Sequence, residues 1–216
     1  MHEDRAHTRP GAVVYTWIAR TSPPLRDLCN AVAAEVTAAI TAGRILDVGT
    51  GPGYLPIEIA ARAPGLELEG IDLSPAMVRI ARKHAAKKGV ADRVRFQRAH
   101  AAELPFDDGS FDLVISTLSF HHWARPLECV TEIHRVLKPQ HEAWIYDARR
   151  DTTDEVNAAF RREYGRFVAF LFLKLVRAHS SVPRRELETL RASPELRISN
   201  AAIIDRGVFL KLQLVK

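Results

Sequence analysis

Residues 44–60 read RILDVGTGPGYLPIEIA, and this stretch decides the fold. Ile45, Leu46 and Val48 form a short apolar run that is typical of a strand buried on both faces. Glycines at alternate positions then predict a tight turn, and the apolar segment after them predicts a helix. A strand, a glycine-rich loop and a helix in this order begin many nucleotide-binding domains, because glycine lets a ligand approach main-chain N–H groups closely.

The spacing of the glycines indicates which nucleotide this loop would bind. A dinucleotide fingerprint requires G-x-G-x-x-G, but Tyr54 occupies the third glycine position after Gly49 and Gly51. The sequence D-V-G-T-G-P-G, with Asp47 at the strand end, resembles motif I of the class I S-adenosylmethionine-dependent methyltransferases. The resemblance implies S-adenosylmethionine as cofactor, S-adenosylhomocysteine as product, and Asp47 near the ammonium group of the cofactor. A purely structural β–α turn is the alternative for this stretch.

The composition fits one α/β domain, since the chain has 216 residues and is 47% hydrophobic. The net charge of +5 comes from Lys and Arg along the whole chain, and we interpret the cluster at residues 79–88 as a solvated helix face. Cys29 and Cys129 are far apart and indicate neither a metal site nor a disulfide framework. The N-terminus lacks a signal-peptide pattern and no apolar run approaches the length of a membrane span, so we expect a cytoplasmic protein.

The chain divides into two predicted parts. Residues 1–43 form an N-terminal cap segment with one helix, and residues 44–216 form the methyltransferase domain. Tyr15 and Trp17 precede the N-terminal helix. Either this segment only covers the sheet, or one of the two rings closes over the cofactor.

The second predicted strand ends in Asp72. An acidic side chain at this place can accept hydrogen bonds from both hydroxyls of a ribose. Ser74 and Pro75 then predict the cap and first turn of a helix. The sequence GIDLSPAM resembles the methyltransferase form of this feature, which implies that the cofactor ribose binds here.

The third predicted strand departs from the family pattern at its end. Family members carry Gly-Asp-Ala there, whereas this chain has Ala99, His100 and Ala101. The donor and acceptor pattern of a histidine differs from that of a carboxylate, which leaves the adenine contact through this side chain open. The residues for which the resemblance implies cofactor contacts are Asp47, Gly49, Thr50, Gly51, Gly53, Asp72, Leu73, Met77, His100, Ala101, Ser116 and Thr117.

Two histidines follow the fourth predicted strand, residues 111–117, and Asp147 ends the fifth. Because the carboxyl ends of parallel strands meet at one edge of the sheet, His121, His122 and Asp147 can lie together beside the transferable methyl group. The carboxylate could orient one imidazole, which would take a proton from the acceptor, with a slight preference for His122. In the alternative, one histidine bonds to main chain and the other faces solvent.

Residues 152–180 are predicted to be a helical insertion. One helix over residues 152–179 would place Phe160, Tyr164, Phe167, Val168, Leu171 and Leu175 in one stripe. This helix is interpreted as a core or dimer helix, a lid over an apolar substrate, or a membrane-surface helix. We expect it to border the acceptor pocket.

We therefore expect a doubly wound, Rossmann-like α/β domain with a seven-stranded sheet, mostly parallel with an antiparallel C-terminal strand. Residues 198–205 and 208–215 predict the final hairpin. The expected function is methyl transfer to a small, partly apolar molecule, similar to quinone-biosynthesis C-methyltransferases. The alternatives are a non-catalytic S-adenosylmethionine-binding protein and an RNA methyltransferase, although the motifs of DNA amino-group and cytosine methyltransferases are missing after strand four. A homodimer is left open.

Overall fold

The computed structural model describes residues 16–179, 181–196 and 200–216. Its strands are β1 (Gly43–Val48), β2 (Leu66–Asp72), β3 (Val94–Arg98), β4 (Phe111–Thr117), β5 (Leu137–Ala148), β6 (Asn200–Arg206) and β7 (Phe209–Val215). They form one seven-stranded sheet in the order β3-β2-β1-β4-β5-β7-β6. Strands β1 to β5 pair in parallel, whereas β7 runs antiparallel to both β5 and β6. The predicted doubly wound sheet with an antiparallel C-terminal strand is confirmed.

Helices cover both faces of the sheet. They are α1 (Pro23–Ala39), α2 (Tyr54–Arg62), α3 (Pro75–Lys88), α4 (Pro126–Val136), α5 (Asp154–Tyr164), α6 (Arg166–His179) and α7 (Arg184–Arg191), and residues 16–21 are also helical. Side chains of α1, α2 and α3 form one core with one face of the sheet, and those of α4 and α7 form a second core with the other face. Among the described helices, none has both the length and the apolar content to cross a membrane.

The continuous apolar run in β1 follows from this two-sided packing. Ile45 belongs to the core under α1, α2 and α3, and its neighbour Leu46 belongs to the core under α4 and α7. Both residues are fully buried. Successive side chains of a strand point to opposite faces, so a strand covered on both sides needs apolar residues at every position.

The predicted start of α3 is also confirmed. The Ser74 hydroxyl accepts a hydrogen bond from the main-chain N–H of Met77, and Pro75 takes the first helical position. Gly89 ends the helix in the left-handed conformation, with φ of +74°. Glycine is favoured there because it has no Cβ to clash with the preceding turn.

Strand β5, which the sequence predicts to end in Asp147, has 12 residues and ends at Ala148. It starts at Leu137 and includes Gln140, which has φ of +64°. Gln140 is exposed and adopts a left-handed conformation that glycine takes more readily. Its N–H donates to the carbonyl of Lys216, which extends the pairing between β5 and the C-terminus.

The expected single helix over residues 152–179 is wrong, since two helices form there. Gly165 separates them with φ of +79° and ψ of 155°, a conformation that residues with a Cβ avoid. The predicted apolar stripe is broken as a result: Phe160 is buried, whereas Phe167 and Leu171 are exposed. The Thr153 hydroxyl caps α5 by accepting from the N–H of Val156.

Several predictions concern the parts of the chain at either end. Trp17 keeps 61% of its surface exposed, and Tyr15 and residue 198 lie outside the described residues. Closure of either ring over the cofactor stays a prediction. The division at residues 43 and 44 and the cytoplasmic location also stay predictions from the sequence.

Candidate active site

The glycine loop between β1 and α2 is a tight turn held against the end of β2. The N–H groups of Gly49 and Thr50 both donate to the carbonyl of Ile71, at 2.9 and 2.8 Å. The three loop glycines have positive φ, with values of +76°, +53° and +78°. A Cβ on Gly49 would lie 2.0 Å from the Ser119 hydroxyl, so this glycine makes room for the segment that follows β4. The turn alone thus explains part of the glycine pattern.

Asp72 connects this loop to the start of α3. Its carboxylate accepts hydrogen bonds from the N–H of Gly51 at 2.9 Å and from the N–H of Ser74 at 2.8 Å. The side chain is partly exposed at the carboxyl end of β2. This is the position that the predicted ribose contact requires.

Two buried oxygen atoms beside the loop have no hydrogen-bond partner among the described residues. They are Oδ1 of Asp47 and Oγ1 of Thr50. Asp47 is 1% exposed, and its burial, together with the negative charge of Asp72, raises the pKa of Asp47 to about 7. An unpaired buried carboxyl oxygen is costly unless a ligand satisfies it. The ammonium group of S-adenosylmethionine would supply the missing donor and positive charge, so these residues fit that cofactor.

His100 is placed differently from the carboxylate that the family pattern has there. Its Nδ1 accepts a hydrogen bond from the main-chain N–H of Ala102 at 3.0 Å. The neutral ring therefore carries its proton on Nε2, whereas a carboxylate would offer only acceptors. A contact of His100 with adenine stays a prediction.

The other predicted cofactor residues surround the same edge of the sheet. The Ser116 hydroxyl is buried and donates to the carbonyl of Val48 at 2.8 Å, so it ties β4 to β1. Thr117, Ala101 and Leu73 are half-buried, and Met77 is fully buried. Contacts of these residues with the cofactor stay predictions.

Asp147 pairs with His121 rather than with His122, which the sequence slightly favoured. Nδ1 of His121 lies 2.9 and 3.0 Å from the two carboxylate oxygens, and its main-chain N–H donates to Oδ2 at 2.9 Å. The His122 ring lies against the His121 ring, with centroids 4.0 Å apart. The reason is the short 3₁₀ turn Phe120–His122, in which the buried Phe120 anchors the segment and directs His121 toward β5.

The His121–Asp147 pair is buried, and one ring nitrogen of His121 has no hydrogen-bond partner among the described residues. The side chains are 6% and 0% exposed. Asp147 also accepts from the N–H of Ala148 at 2.7 Å. The hydrogen bond from Nδ1 makes Nε2 the acceptor atom of the neutral His121 ring, and this buried Nε2 has no partner among the described residues. The pair can therefore accept a proton from a group placed at Nε2.

A cavity of about 380 Å³ lies at the carboxyl end of β5, between α1, α5 and the turn from β6 to β7. Apolar and aromatic side chains form most of its wall, among them Leu28, Tyr146, Phe160, Tyr164 and Phe209. Leu118 packs against this cluster, and its N–H donates to the carbonyl of Tyr146 at 2.8 Å. The segment leading from β4 to His121 therefore runs beside the cavity.

Sequence reasoning missed a polar group behind this cavity. Nζ of Lys211 lies 2.6 Å from Glu35 and 3.6 Å from the centroid of the Trp144 ring, and Lys211 is 2% exposed. The Tyr146 hydroxyl and Arg206 also donate to Glu35. Burial lowers the pKa of Lys211. A lysine in the otherwise apolar run FLKLQLV was the available signal, but nothing local identifies its partner.

Comparisons with known proteins agree with this geometry. A family profile described as a methyltransferase domain matches residues 45–140. A demethylmenaquinone methyltransferase of Thermus thermophilus is 31% identical over 172 residues, which cover 80% of this chain and 77% of that protein. A ubiquinone/menaquinone biosynthesis C-methyltransferase of Geobacter sp. is 38% identical over 98 residues, or 45% of this chain and 42% of that protein.

Solved structures share the fold at lower identity. A Methanococcus maripaludis protein assigned to the S-adenosylmethionine-dependent methyltransferases superposes with a TM-score of 0.79 at 23% identity, covering 100% of this chain and 97% of its own. Phosphoethanolamine N-methyltransferase 2 of Haemonchus contortus, in complex with S-adenosylmethionine, gives 0.71 at 19% identity and covers 97% and 57%. The chain belongs to the class I S-adenosylmethionine-dependent methyltransferases, and S-adenosylmethionine is its cofactor.

Proposed function

We propose that this methyltransferase acts on a small, partly apolar acceptor and that His121 serves as its general base. The observation that carries the proposal is the buried Nε2 of His121, which has no partner in the described part of the chain while Nδ1 bonds to Asp147. A buried histidine that only supported the fold would be expected to use both ring nitrogens. The names of two relatives, a demethylmenaquinone and a ubiquinone/menaquinone biosynthesis methyltransferase, support a quinone-like acceptor.

The protein need not form a covalent bond with the methyl group, because its part is to position the cofactor and the acceptor. S-adenosylmethionine supplies an electrophilic methyl group on a sulfonium. Asp47 would hold the ammonium end of the cofactor and Asp72 its ribose. Holding the acceptor in line with the methyl group can contribute several kcal/mol to catalysis, roughly 7–11 in ideal cases.

His121 would remove the proton that makes the acceptor nucleophilic. Nε2 takes the proton from a hydroxyl or activated carbon of the acceptor, and Nδ1 keeps its hydrogen bond to Asp147. The buried carboxylate stabilises the imidazolium that forms and fixes the ring orientation. The deprotonated atom of the acceptor would then bond to the methyl carbon as the carbon–sulfur bond breaks, with S-adenosylhomocysteine as the leaving group.

The cavity beside Tyr146 and Phe160 is the proposed acceptor pocket. Its volume of about 380 Å³ lies within the usual range for a small ligand, roughly 300–1,000 Å³. Phe160 and Tyr164 lie on α5, so the predicted insertion would border the acceptor as expected from the sequence. Glu35 and Arg206 also line the cavity and would meet polar groups of the acceptor.

Calorimetry and an acceptor screen test the function. We expect S-adenosylmethionine to bind and NAD not to bind, because Tyr54 replaces the third glycine of the dinucleotide pattern. Hydroquinones and phenols should support formation of S-adenosylhomocysteine, and RNA should not. Binding of S-adenosylmethionine with turnover on RNA alone would overturn the small-molecule proposal.

A matched pair of variants tests the pocket. Phe160→Trp enlarges a buried wall of the cavity and should raise the KM for the acceptor while the Kd for S-adenosylmethionine is unchanged. Phe167→Trp makes the same change on the exposed side of α6 and should leave both constants as they are. Equal effects of the two substitutions would place the acceptor elsewhere.

A further inference from the structure

Helix α6 is apolar on two faces. On one face Ala169, Phe172 and Leu173 are buried in the cluster that also contains Phe160 and Phe209. The opposite face, here called the α6 outer face, consists of Phe167, Phe170, Leu171, Lys174 and Leu175. A helix that only covered a core would present polar residues on this side.

The apolar residues of the α6 outer face are widely exposed. Phe167 and Phe170 are 78% and 63% exposed, and Leu171 and Leu175 are 46% and 47% exposed. Their spacing of three and four residues places them next to one another along the helix. Contiguous exposed apolar side chains of this kind mark an interaction surface.

Cationic side chains adjoin this face and outnumber the one exposed carboxylate at the junction of α5 and α6, that of Glu163. The sequence of α6 contains no acidic residue. Lys174 lies within the face, with Nζ 5.8 Å from the centroid of the Phe170 ring, and Arg161, Arg162 and Arg166 are exposed where α5 meets α6. A concavity of about 700 Å³ is lined by Arg161, Arg166, Phe167, Phe170, Leu173 and Lys174. Cations at its rim and aromatic rings on its wall match the phosphate and acyl parts of a phospholipid.

We propose that the α6 outer face docks on the surface of a membrane that contains anionic phospholipids. Its Phe and Leu side chains would enter the boundary between headgroups and acyl chains, while the Arg and Lys side chains contact phosphate groups. The 14 residues of α6 are about 21 Å long, which suits a helix lying in the membrane plane. The inference goes beyond the proposed function, because docking requires neither cofactor nor methyl transfer.

A second copy of the chain is a less suitable occupant. In a two-fold symmetric dimer the same patch faces itself, so Lys174 and the neighbouring arginines would meet their own copies. Because α6 offers no carboxylate and Glu163 on α5 is outnumbered by these cations, the contact would bring like charges together. An anionic lipid surface provides the opposite charge.

Co-sedimentation of the full chain with vesicles tests docking. We expect binding to vesicles of phosphatidylcholine with phosphatidylglycerol, and binding weaker by about tenfold to phosphatidylcholine alone or at high salt. Phe167→Ser/Phe170→Ser should reduce vesicle affinity by about tenfold or more. Trp17→Ser, which removes an exposed aromatic ring outside the α6 outer face, should not reduce it.

A matched pair of charge-removing variants tests the electrostatic contribution to docking. Arg161→Gln/Arg166→Gln/Lys174→Gln should abolish the preference for anionic vesicles. Arg79→Gln/Lys83→Gln/Lys87→Gln removes the same charge from exposed positions on α3 and should keep the preference. Circular dichroism and the Kd for S-adenosylmethionine report whether each variant is folded, and they test cofactor binding separately from docking.

Three results would overturn docking on a membrane. The first is no binding of the unmodified chain to anionic vesicles. The second is equal loss of binding in the α6 and α3 charge variants, which would mean that only net charge matters. The third is a dimer in analytical ultracentrifugation that Phe167→Ser/Phe170→Ser dissociates, without vesicle binding by either protein, which would assign the face to a second copy of the chain.

Discussion

Adjacent residues of β5 belong to two polar groups on opposite faces of the sheet. On one face Tyr146 joins Glu35, Lys211 and Arg206, and both carboxylate oxygens of Glu35 accept hydrogen bonds from these residues. We call this set the Glu35 group. Hydrogen bonds from Lys211 and Tyr146 hold the pKa of Glu35 below its usual value, although burial acts in the other direction.

On the other face Asp147 joins His121, and the pairing there is incomplete. Nδ1 of His121 is bonded, whereas its buried Nε2 has no partner among the described residues. Oδ1 of Asp47, at the end of β1, is buried and unpaired in the same way. Native proteins satisfy nearly all buried polar groups, so atoms left open at one edge of the sheet indicate where ligands complete the hydrogen bonding. We interpret the paired group as one that stabilises the fold beside the cavity, and the unpaired atoms of His121 and Asp47 as candidate ligand contacts.

The largest expected effect concerns Nε2 of His121. His121→Ala should lower the methyl-transfer rate by about 10²–10⁴, because the proton acceptor is lost. The Kd for S-adenosylmethionine should stay within a factor of about two to three, the usual scatter for a group that does not touch the ligand. Single-turnover formation of S-adenosylhomocysteine with a competent acceptor measures the rate.

His122→Ala is the control for this prediction. It removes the neighbouring ring, 4.0 Å away, but leaves the bond between His121 and Asp147. We expect a rate change below about tenfold, since the proposed base and its carboxylate partner both remain. Near-native rates in both variants would show that the acceptor needs no base.

Removing the carboxylate of the Glu35 group should lower the stability of the protein. Glu35→Ala leaves the buried Lys211 without its carboxylate, and we expect the free energy of unfolding to fall by about 2–3 kcal/mol. The Kd for S-adenosylmethionine should not change. Urea denaturation measures the effect, and Lys211→Met should cost less because an apolar chain fills the same space beside Trp144. A larger loss for Lys211→Met would contradict the distinction between the two groups.

The parts of this molecule that were predictable from sequence are those with local signals. The strand ending in Val48, the glycine loop and the Ser74 cap were all found because neighbouring residues determine them. The pairing of Asp147 with a histidine also followed, since parallel strands bring their ends together. Which histidine pairs depends on burial of Phe120, which no local pattern reveals.

Features built from distant segments were not predictable. Glu35 and Lys211 are separated by most of the chain, and the cavity wall combines α1, α5 and the turn after β6. The break at Gly165 was missed because an apolar stripe continues through it in the sequence, although only one side of each helix is buried in the fold. A hydrophobic pattern shows that residues are apolar but not which neighbour covers them.

A smaller effect is expected at Asp72. Unlike Nε2 of His121, the Asp72 carboxylate already accepts hydrogen bonds from main-chain N–H groups. Asp72→Ala should weaken S-adenosylmethionine binding by about 1–2 kcal/mol, through the lost ribose contact and the loosened N–H groups of Gly51 and Ser74. Calorimetry measures the loss. Asp72→Asn keeps the shape of the side chain but not its charge, so its affinity for S-adenosylmethionine should fall between those of the unmodified chain and Asp72→Ala. Unchanged affinity in a folded Asp72→Ala variant would place the ribose elsewhere.

The smallest effect is a pH dependence at Asp47. Burial raises the pKa of this carboxyl to about 7 in the unliganded protein, so folding favours the neutral form. The raised pKa means that the unliganded fold loses stability from this group as the pH rises from about 4 to about 7. Pairing with a cationic ammonium group requires the ionised form of Asp47. The affinity for S-adenosylmethionine should therefore rise with pH, whereas the stability of the unliganded fold falls.

The affinity for S-adenosylmethionine should therefore rise about tenfold between about pH 5.5 and pH 7, as the ionised fraction of Asp47 increases. The rise should stop above about pH 7.5, where an α-amino group begins to lose its own proton. Asp47→Asn cannot ionise, so its affinity should be nearly independent of pH over this range and lower than that of the unmodified chain at pH 7. Isothermal titration at a series of pH values measures both profiles. The same tenfold rise in Asp47→Asn would show that another group titrates, and the unpaired oxygen of Asp47 would then have no part in holding the cofactor.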